Sequence, residues 1–341
     1  MKDMTPNDAQ PVLDLIEAFR RSKTMFAAVA LGVFDELAQS PRTAAELAAR
    51  AGADVDAMSR LLDGCVGLGL LVRTGDGFAN APMAARYLTR NSPDTLAGYV
   101  LYSNEALYPM WGRLEDAVRE GTNRWEAVFG GHQALFDHFF RSPEARRTFL
   151  SGMHGFGRLS SPEIVRLFNL NGFQHLVDLG GGTGHLAVAA CERYGGLRAT
   201  IFDLPGATDL AREYTAASSA AQRLSVAEGD FFTDPLPAGD LYTLGRILHD
   251  WGEEKIRRLL ARIFEALPPG GGLLVVETLL DEDGRGPVSA LMQSLNMLVC
   301  TEGRERSESE YRALLEQAGF HRVEARRTGT PLDAVLARKP E

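Results

Sequence analysis

The sequence predicts an α/β chain in which a helical, winged-helix N-terminal part precedes a doubly wound, mostly parallel sheet. Two observations carry this. Up to about residue 158 apolar positions recur mostly at helical spacing, interrupted by two short apolar runs around the turn Gly75-Asp76-Gly77. Beyond it, continuous apolar runs alternate with helical stretches, the pattern of strands covered on both faces. The expected domains are residues 1–158 and 159–341.

A first helix is expected from Pro11 to Leu37, with apolar positions Leu15, Phe19, Phe26, Leu31 and Phe34. Thr43 with Glu46 forms a capping box for a short helix that Gly52 ends. A third helix covers Val55 to about Leu68, and LGLLVRTGDGFANA reads as a hairpin. Residues 95–158 read as further helices, rich in aromatics and methionines such as Trp111, Trp125, Phe139, Met153 and Phe156. Most of these fit core packing, and a minority fit the wall of an apolar pocket. Ser161-Pro162 suits an N-cap followed by proline at the first helical position. The runs HLVDLG, ATIFDL, LSVAEGD, LYTLGRIL, GLLVVETLL, VEARRTG and LDAVLAR then read as strands. Helices are expected between them, through Tyr194, over 253–267, 288–299 and 307–318.

Composition narrows the functional classes. With 45 acidic and 36 basic residues the formal net charge is −9, which argues against a nucleic-acid surface. The candidate recognition helix of the winged region, DVDAMSRLLDGCVGLGL, carries three aspartates and one arginine, Arg60, the wrong chemistry for reading base edges. That helix is better suited to packing on another helix or subunit, so a homodimer is expected. Cys65, Cys191 and Cys300 are too far apart in sequence for a CxxC pair, which fits a reducing, cytoplasmic setting without disulfides or structural zinc. No apolar run reaches the roughly 18 residues of a membrane span, so no membrane partner is expected.

The first strand of the sheet ends in Val177-Asp178-Leu179-Gly180-Gly181-Gly182-Thr183-Gly184-His185. Glycines let the chain turn sharply and approach a ligand, and the helix that follows offers free N–H groups. His185 stands where the dinucleotide pattern requires glycine, and no Gly-Lys-Ser/Thr follows, so neither that fingerprint nor a P-loop is present. Asp203 closes the next strand, where a carboxylate accepts hydrogen bonds from a ribose diol. Asp230 and Phe231 close the third strand, a carboxylate and an aromatic suited to an adenine amino group and ring.

LVDLGGGTGHLA, IFDLP, EGDFFTDPLP, RILHDW, ETLLDE and SLNMLVCTEGRERS resemble the class I S-adenosylmethionine (SAM)-dependent O-methyltransferases, most of all their hydroxyindole (acetylserotonin) branch. The resemblance covers nearly the whole chain and is denser in the C-terminal motifs. It implies a Rossmann-like SAM-methyltransferase domain, with S-adenosylhomocysteine as product. The implied cofactor residues are Asp178, Gly180 and Gly182 at the turn, Asp203 and Leu204 at the ribose, Asp230 and Phe231 at the adenine, and Arg246 near the methionine carboxylate. The implied acceptor is a hydroxyl of a small aromatic molecule.

Such an enzyme must align donor and acceptor and remove the acceptor's proton. A phenol of pKa ~10 is mostly protonated at neutral pH, whereas a free imidazole near ~6.5 is mostly neutral and can accept that proton. His249, at the end of the fourth strand, is the expected base. Glu277 and Glu305 are the candidates to orient it, and the resemblance supports both. Asp250 is either a second catalytic or supporting residue or, with Glu253, a helix-start signal. By resemblance Asn296 and Met297 face the acceptor, and Met153, His154 and Phe156 could close its pocket. Asp281, Glu282 and Asp283 cluster on what reads as an exposed loop, so no metal is expected. The alternative is a catalytically silent SAM-binding or scaffold protein of the same fold.

Overall fold

The computed structural model describes residues 9–131 and 134–341. They fall into two compact units, one up to Ala106 and one from Leu107 onward. The helices over 107–158, joined to the first domain in the sequence reading, group with the second unit. Two indoles show why: Trp111 Nε1 donates to Asn296 Oδ1 (2.8 Å) and Trp125 Nε1 to the Cys300 carbonyl (2.9 Å), both on the helix Val288–Cys300.

In the first unit the expected helix over 11–37 is two helices, Gln10–Ala30 and Val33–Glu36, because Gly32 takes a left-handed conformation (φ 73°) between them. The capping box is as expected. Thr43 Oγ1 accepts from the Glu46 N–H (3.3 Å), and Glu46 Oε2 from the Thr43 N–H (2.7 Å). Gly52 ends that helix (φ 62°) and Val55–Gly67 follows. Strands β1 (Leu71–Thr74) and β2 (Gly77–Asn80) pair antiparallel as the predicted hairpin. The core gathers Val33, Phe34, Leu47, Met58, Leu62, Leu71 and Phe78. Leu15 and Phe19 stay outside it: with Val12 and Ile16 they leave a row of exposed apolar side chains on Gln10–Ala30, Leu15 being 77% exposed. Among the described residues no helix is long and apolar enough to cross a membrane.

The second unit is built on seven strands. In chain order they are β3 (His175–Leu179), β4 (Arg198–Asp203), β5 (Leu224–Glu228), β6 (Leu241–Gly245), β7 (Gly272–Glu277), then β10 (His321–Arg326) and β11 (Asp333–Arg338). A separate parallel pair, β8 (Leu279–Leu280) and β9 (Arg306–Ser307), lies between β7 and β10 in sequence. The spatial order is β10-β11-β7-β6-β3-β4-β5. Strands β3 to β7 are mutually parallel, and β11 runs antiparallel to both β7 and β10. The central strands are largely apolar, as parallel strands under two helical layers must be: Leu176, Val177, Leu241, Leu244, Leu273 and Leu274 are buried, with Asp178 on β3, Thr243 on β6 and Glu277 on β7 as buried polar residues among them.

The chain winds outward from β3 through β4 to β5, then returns to β6 on the other side of β3. This reversal makes the carboxyl ends of β3 and β6 the walls of a crevice. Strand β6 stops at Gly245, short of the expected LYTLGRIL run. Arg246 takes a left-handed φ of 58° and residues Leu248–Asp250 form a single 3₁₀ turn, so the chain breaks away from the sheet where the site begins. Ser161-Pro162 also departs from expectation: Ser160 precedes the helix, and the Ser161 hydroxyl donates instead to the Gly157 carbonyl (2.9 Å).

Candidate active site

The glycine turn after β3 adopts the conformation its composition suggested, with Gly180, Gly182 and Gly184 at φ 65°, 56° and 78°. At Gly180 a Cβ would stand 2.5 Å from Ile247 Cδ1, so close approach, as well as backbone angle, demands glycine. Asp178 supports the turn from beneath. It is buried, its Oδ1 accepts from Thr243 Oγ1 (2.6 Å), and burial pushes its carboxyl up to about 7. Asp203 sits across the turn: Oδ2 accepts from the Gly182 N–H and Oδ1 from the Leu204 N–H, both at 2.7 Å. Burial lifts it to about 6, against those two hydrogen bonds. Asp230 Oδ1 accepts from the Phe232 N–H (2.8 Å), and the Phe231 ring comes within 3.3 Å of where a Gly180 Cβ would be. Arg246 closes the far side. Its Nη1 lies 3.1 Å from Met153 Sδ and its guanidinium 4.8 Å above the Phe156 ring, soft partners that leave its charge unneutralised. A cradle that a side chain would fill, helix N–H groups at His185, a carboxylate at the end of β4 and a cation without a carboxylate partner among the described residues together fit SAM.

The second half of the site lies at the end of β6. His249 is buried, 2% exposed. Its Nδ1 is 2.6 Å from Glu305 Oε1 and 3.2 Å from Glu277 Oε2, while Nε2 is 3.6 Å from Asp250 Oδ1. Glu277 also braces the backbone. Its Oε1 accepts from the N–H groups of Ile247 (3.1 Å) and Leu248 (2.9 Å), fixing the turn that carries His249. Sheet topology brings the two glutamates together. Glu277 ends β7, and the β8–β9 pairing aligns Leu279 with Arg306, next to Glu305. Gly303 lies so close to the His249 carbonyl that a Cβ there would overlap it. Burial is the largest influence on all three carboxyls, raising Asp250 to about 6, Glu277 to about 7 and Glu305 to about 8. Asp250 is not a helix cap: Gly252 precedes the helix Glu253–Ala266, and the Asp250 side chain is left facing His249.

The O-methyltransferase domain model matches residues 111–321, and the O-methyltransferase dimerisation model matches residues 13–90. The chain belongs to the O-methyltransferase family. It is 45% identical to acetylserotonin O-methyltransferase of Bos taurus, over 94% of this chain and 95% of that one. It is 44% identical to a human probable bifunctional dTTP/UTP pyrophosphatase/methyltransferase protein over 96% of this chain, but spans only 53% of that protein's length. Human N-acetylserotonin methyltransferase, solved in complex with SAM, superposes with a TM-score of 0.94 at 39% identity, over the full length of both chains. This methyltransferase family is SAM-dependent, so the donor expected from the motifs stands.

Among the described residues of this methyltransferase, the group that brings three potential ligand atoms of His, Asp, Glu or Cys within 4.8 Å of one another is the base cluster itself, His249, Glu277 and Glu305. Its 2.6 Å contact is a charge-assisted hydrogen-bond length, and Glu277 is held by backbone donors. The Asp281–Asp283 stretch is occupied elsewhere, with Asp281 on Arg327 and Glu282 on Ser307 and Ser309.

The residues expected at the acceptor have different partners. Asn296 is buried and gives its Oδ1 to Trp111 Nε1, while its Nδ2 lies 3.6 Å from Cys300 Sγ. An indole N–H only donates, so Trp111 fixes the amide with its NH2 end turned away. Met297 is buried beside Asn296. Met153 and Phe156 both contact Arg246. His154 instead reaches the cofactor turn, with Nδ1 2.8 Å from Thr183 Oγ1 and its ring 4.0 Å from that of Tyr214, and burial pushes its pKa down to about 3. Sequence reasoning does not single out Trp111 as a partner of Asn296, or Thr243, Arg306 and Tyr311. Nothing in their local sequence signals these contacts, which join distant segments.

Proposed function

We propose that this O-methyltransferase methylates a hydroxyl of a small aromatic molecule with His249 as general base. The observation that carries the reading is the buried hydrogen bond from His249 Nδ1 to Glu305 Oε1, 2.6 Å, at the carboxyl end of the strand next to the glycine turn. With its Nδ1–H given to Glu305, the imidazole keeps the Nε2 lone pair free to take the acceptor's proton as its oxygen becomes nucleophilic. Glu277 holds the backbone of the turn, and Asp250, 3.6 Å from Nε2, lies on the side where the developing imidazolium charge is stabilised. Bound SAM supplies a methyl group already activated on a sulfonium. Gly180, Gly182, Asp178, Asp203, Leu204, Asp230, Phe231 and Arg246 hold it, with Arg246 on its carboxylate. Asn296, Met297, Met153 and Phe156 line the acceptor side, where the fixed amide of Asn296 offers N–H to an accepting group. Identities of 41–45% to several acetylserotonin O-methyltransferases support a hydroxyindole as the acceptor. The test is methyl transfer from SAM to a panel of phenols and hydroxyindoles. Formation of a methyl ether with stoichiometric S-adenosylhomocysteine supports the reading; transfer only to nitrogen or sulfur acceptors, or none, overturns it.

The dimerisation-domain match and the exposed apolar row on Gln10–Ala30 support a homodimer joined through the first unit. Three buried free thiols support a cytoplasmic location, and recovery of the enzyme in a secreted fraction would contradict it.

A further inference from the structure

Behind His249 lies a second layer of buried polar groups that the reaction as described does not use. Arg306 is 2% exposed, a fully buried guanidinium with no carboxylate within ion-pair distance among the described residues. Its Nη1 donates to the carbonyls of Arg304 (3.1 Å) and Leu248 (3.4 Å), so it grips the same turn whose N–H groups Glu277 holds. Tyr311 is wholly buried. Among the described residues, Arg306 Nε, the Tyr311 hydroxyl, Glu277 Oε2 and Glu305 Oε2 have no hydrogen-bond partner of good geometry, and Arg306 bears on the Tyr311 hydroxyl by a looser side-chain hydrogen bond as well as by its charge. Two buried donors and two buried acceptors, complementary in kind, are gathered in one layer, and leaving such groups unmatched is costly. Their charges act on one another. The Tyr311 hydroxyl is pushed well above its ordinary range by burial first and by Glu277 and Glu305 next, while Arg306 opposes the rise. Arg246 and Arg306 both draw Glu305 down against its burial.

We propose that Arg306 and Tyr311 are positioning residues for methyl transfer, holding the Glu277–Glu305 pair as the buried counter-charge and the buried hydroxyl beneath it. The inference rests on His249 being the base. A neutral His249 with Nε2 free donates its Nδ1–H to Glu305, and that bond stabilises the imidazolium formed on proton transfer only when Glu305 is ionised. Burial favours its protonated form, and a fixed cation beneath it favours the ionised one. The other charged or titratable groups acting on the pair are His249 and Asp250 on Glu277 and Arg246 on Glu305, while Glu302 and Cys300 face Asp250.

The test is the pH profile of kcat/KM for the wild type, Arg306→Met, Arg306→Lys and Tyr311→Phe. Removing the cation should move the acid limb up by roughly one pH unit. Arg306→Lys, which keeps the charge, should leave the limb in place while lowering kcat through its looser hold on Leu248. Tyr311→Phe should shift the limb upward by less. Folded variants whose limbs coincide with the wild type, with only a pH-independent loss of rate, would overturn the proposal. Should Arg306→Met fail to fold, an unmoved limb in Tyr311→Phe overturns it alone. His249→Ala separates the two readings: retained turnover there defeats the base itself, whereas lost turnover with unmoved limbs defeats only the role of Arg306 and Tyr311.

Discussion

At the scale of the residue, the chemistry turns on which atom of His249 is committed. Glu305 takes Nδ1 at 2.6 Å, and Glu277, at 3.2 Å, already accepts two backbone N–H groups with its other oxygen. The two glutamates are therefore not equivalent. Glu305→Gln removes the charge from a hydrogen bond to the base, a loss of about 1.5–3 kcal/mol or ~10–100-fold in kcat. Glu277→Gln keeps an oxygen for the backbone donors and should cost less; measured kcat values in the reverse order would contradict this division. Both glutamates are legible in the sequence as partners of His249, but their ranking is not. It depends on β8 pairing with β9, two residues on each strand, which no local pattern announces. Asp250 admits two sequence readings for a similar reason. Its spacing to Glu253 mimics a capping box, yet Gly252 precedes the helix and the carboxylate faces the imidazole.

At the scale of the element, the helix Val288–Cys300 carries Asn296 and Met297 and is tied at three points to the segment 111–125. Trp111 Nε1 meets Asn296 Oδ1, the Arg124 N–H meets the Val299 carbonyl (2.8 Å), and Trp125 Nε1 meets the Cys300 carbonyl. Trp111→Phe frees the amide of Asn296 to rotate and leaves its oxygen without a donor, a cost of about 1–2 kcal/mol. The expected outcome is an acceptor KM raised ~5–30-fold with SAM affinity unchanged, read from steady-state kinetics and SAM titration. An equal loss of SAM binding would place that helix on the wrong side of the site. The seven sheet strands of this unit are legible in number and chain order, because parallel strands under two layers must be apolar, but their ends shift by up to three residues, as where VEARRTG meets β10 at His321–Arg326. The strand end at Gly245 is not legible: apolar Ile247 and Leu248 continue the strand pattern, while the left-handed Arg246 breaks it.

At the scale of the whole molecule, the acidic composition that argues against nucleic acid leaves the N-terminal unit another role. Val12, Leu15, Ile16 and Phe19 stay exposed on a helix within the dimerisation match, a row of apolar surface that a partner copy can bury. Sequence periodicity finds Leu15 and Phe19 as apolar helix positions, but spacing alone does not say which surface an apolar face will cover. The paired change Leu15→Glu and Phe19→Glu should turn a dimer into a folded monomer by sedimentation; a wild-type monomer at micromolar concentration would contradict the assignment. The proposed chemistry needs the glycine turn after β3 and the imidazole at the end of β6 to serve one crevice, the first binding the donor and the second accepting the proton. The decisive experiment is His249→Ala, assayed for SAM affinity and for turnover with a phenolic acceptor. SAM affinity should be nearly unchanged and kcat lowered ~10²–10⁴-fold; unchanged turnover, or equal loss of SAM binding, would contradict that shared crevice.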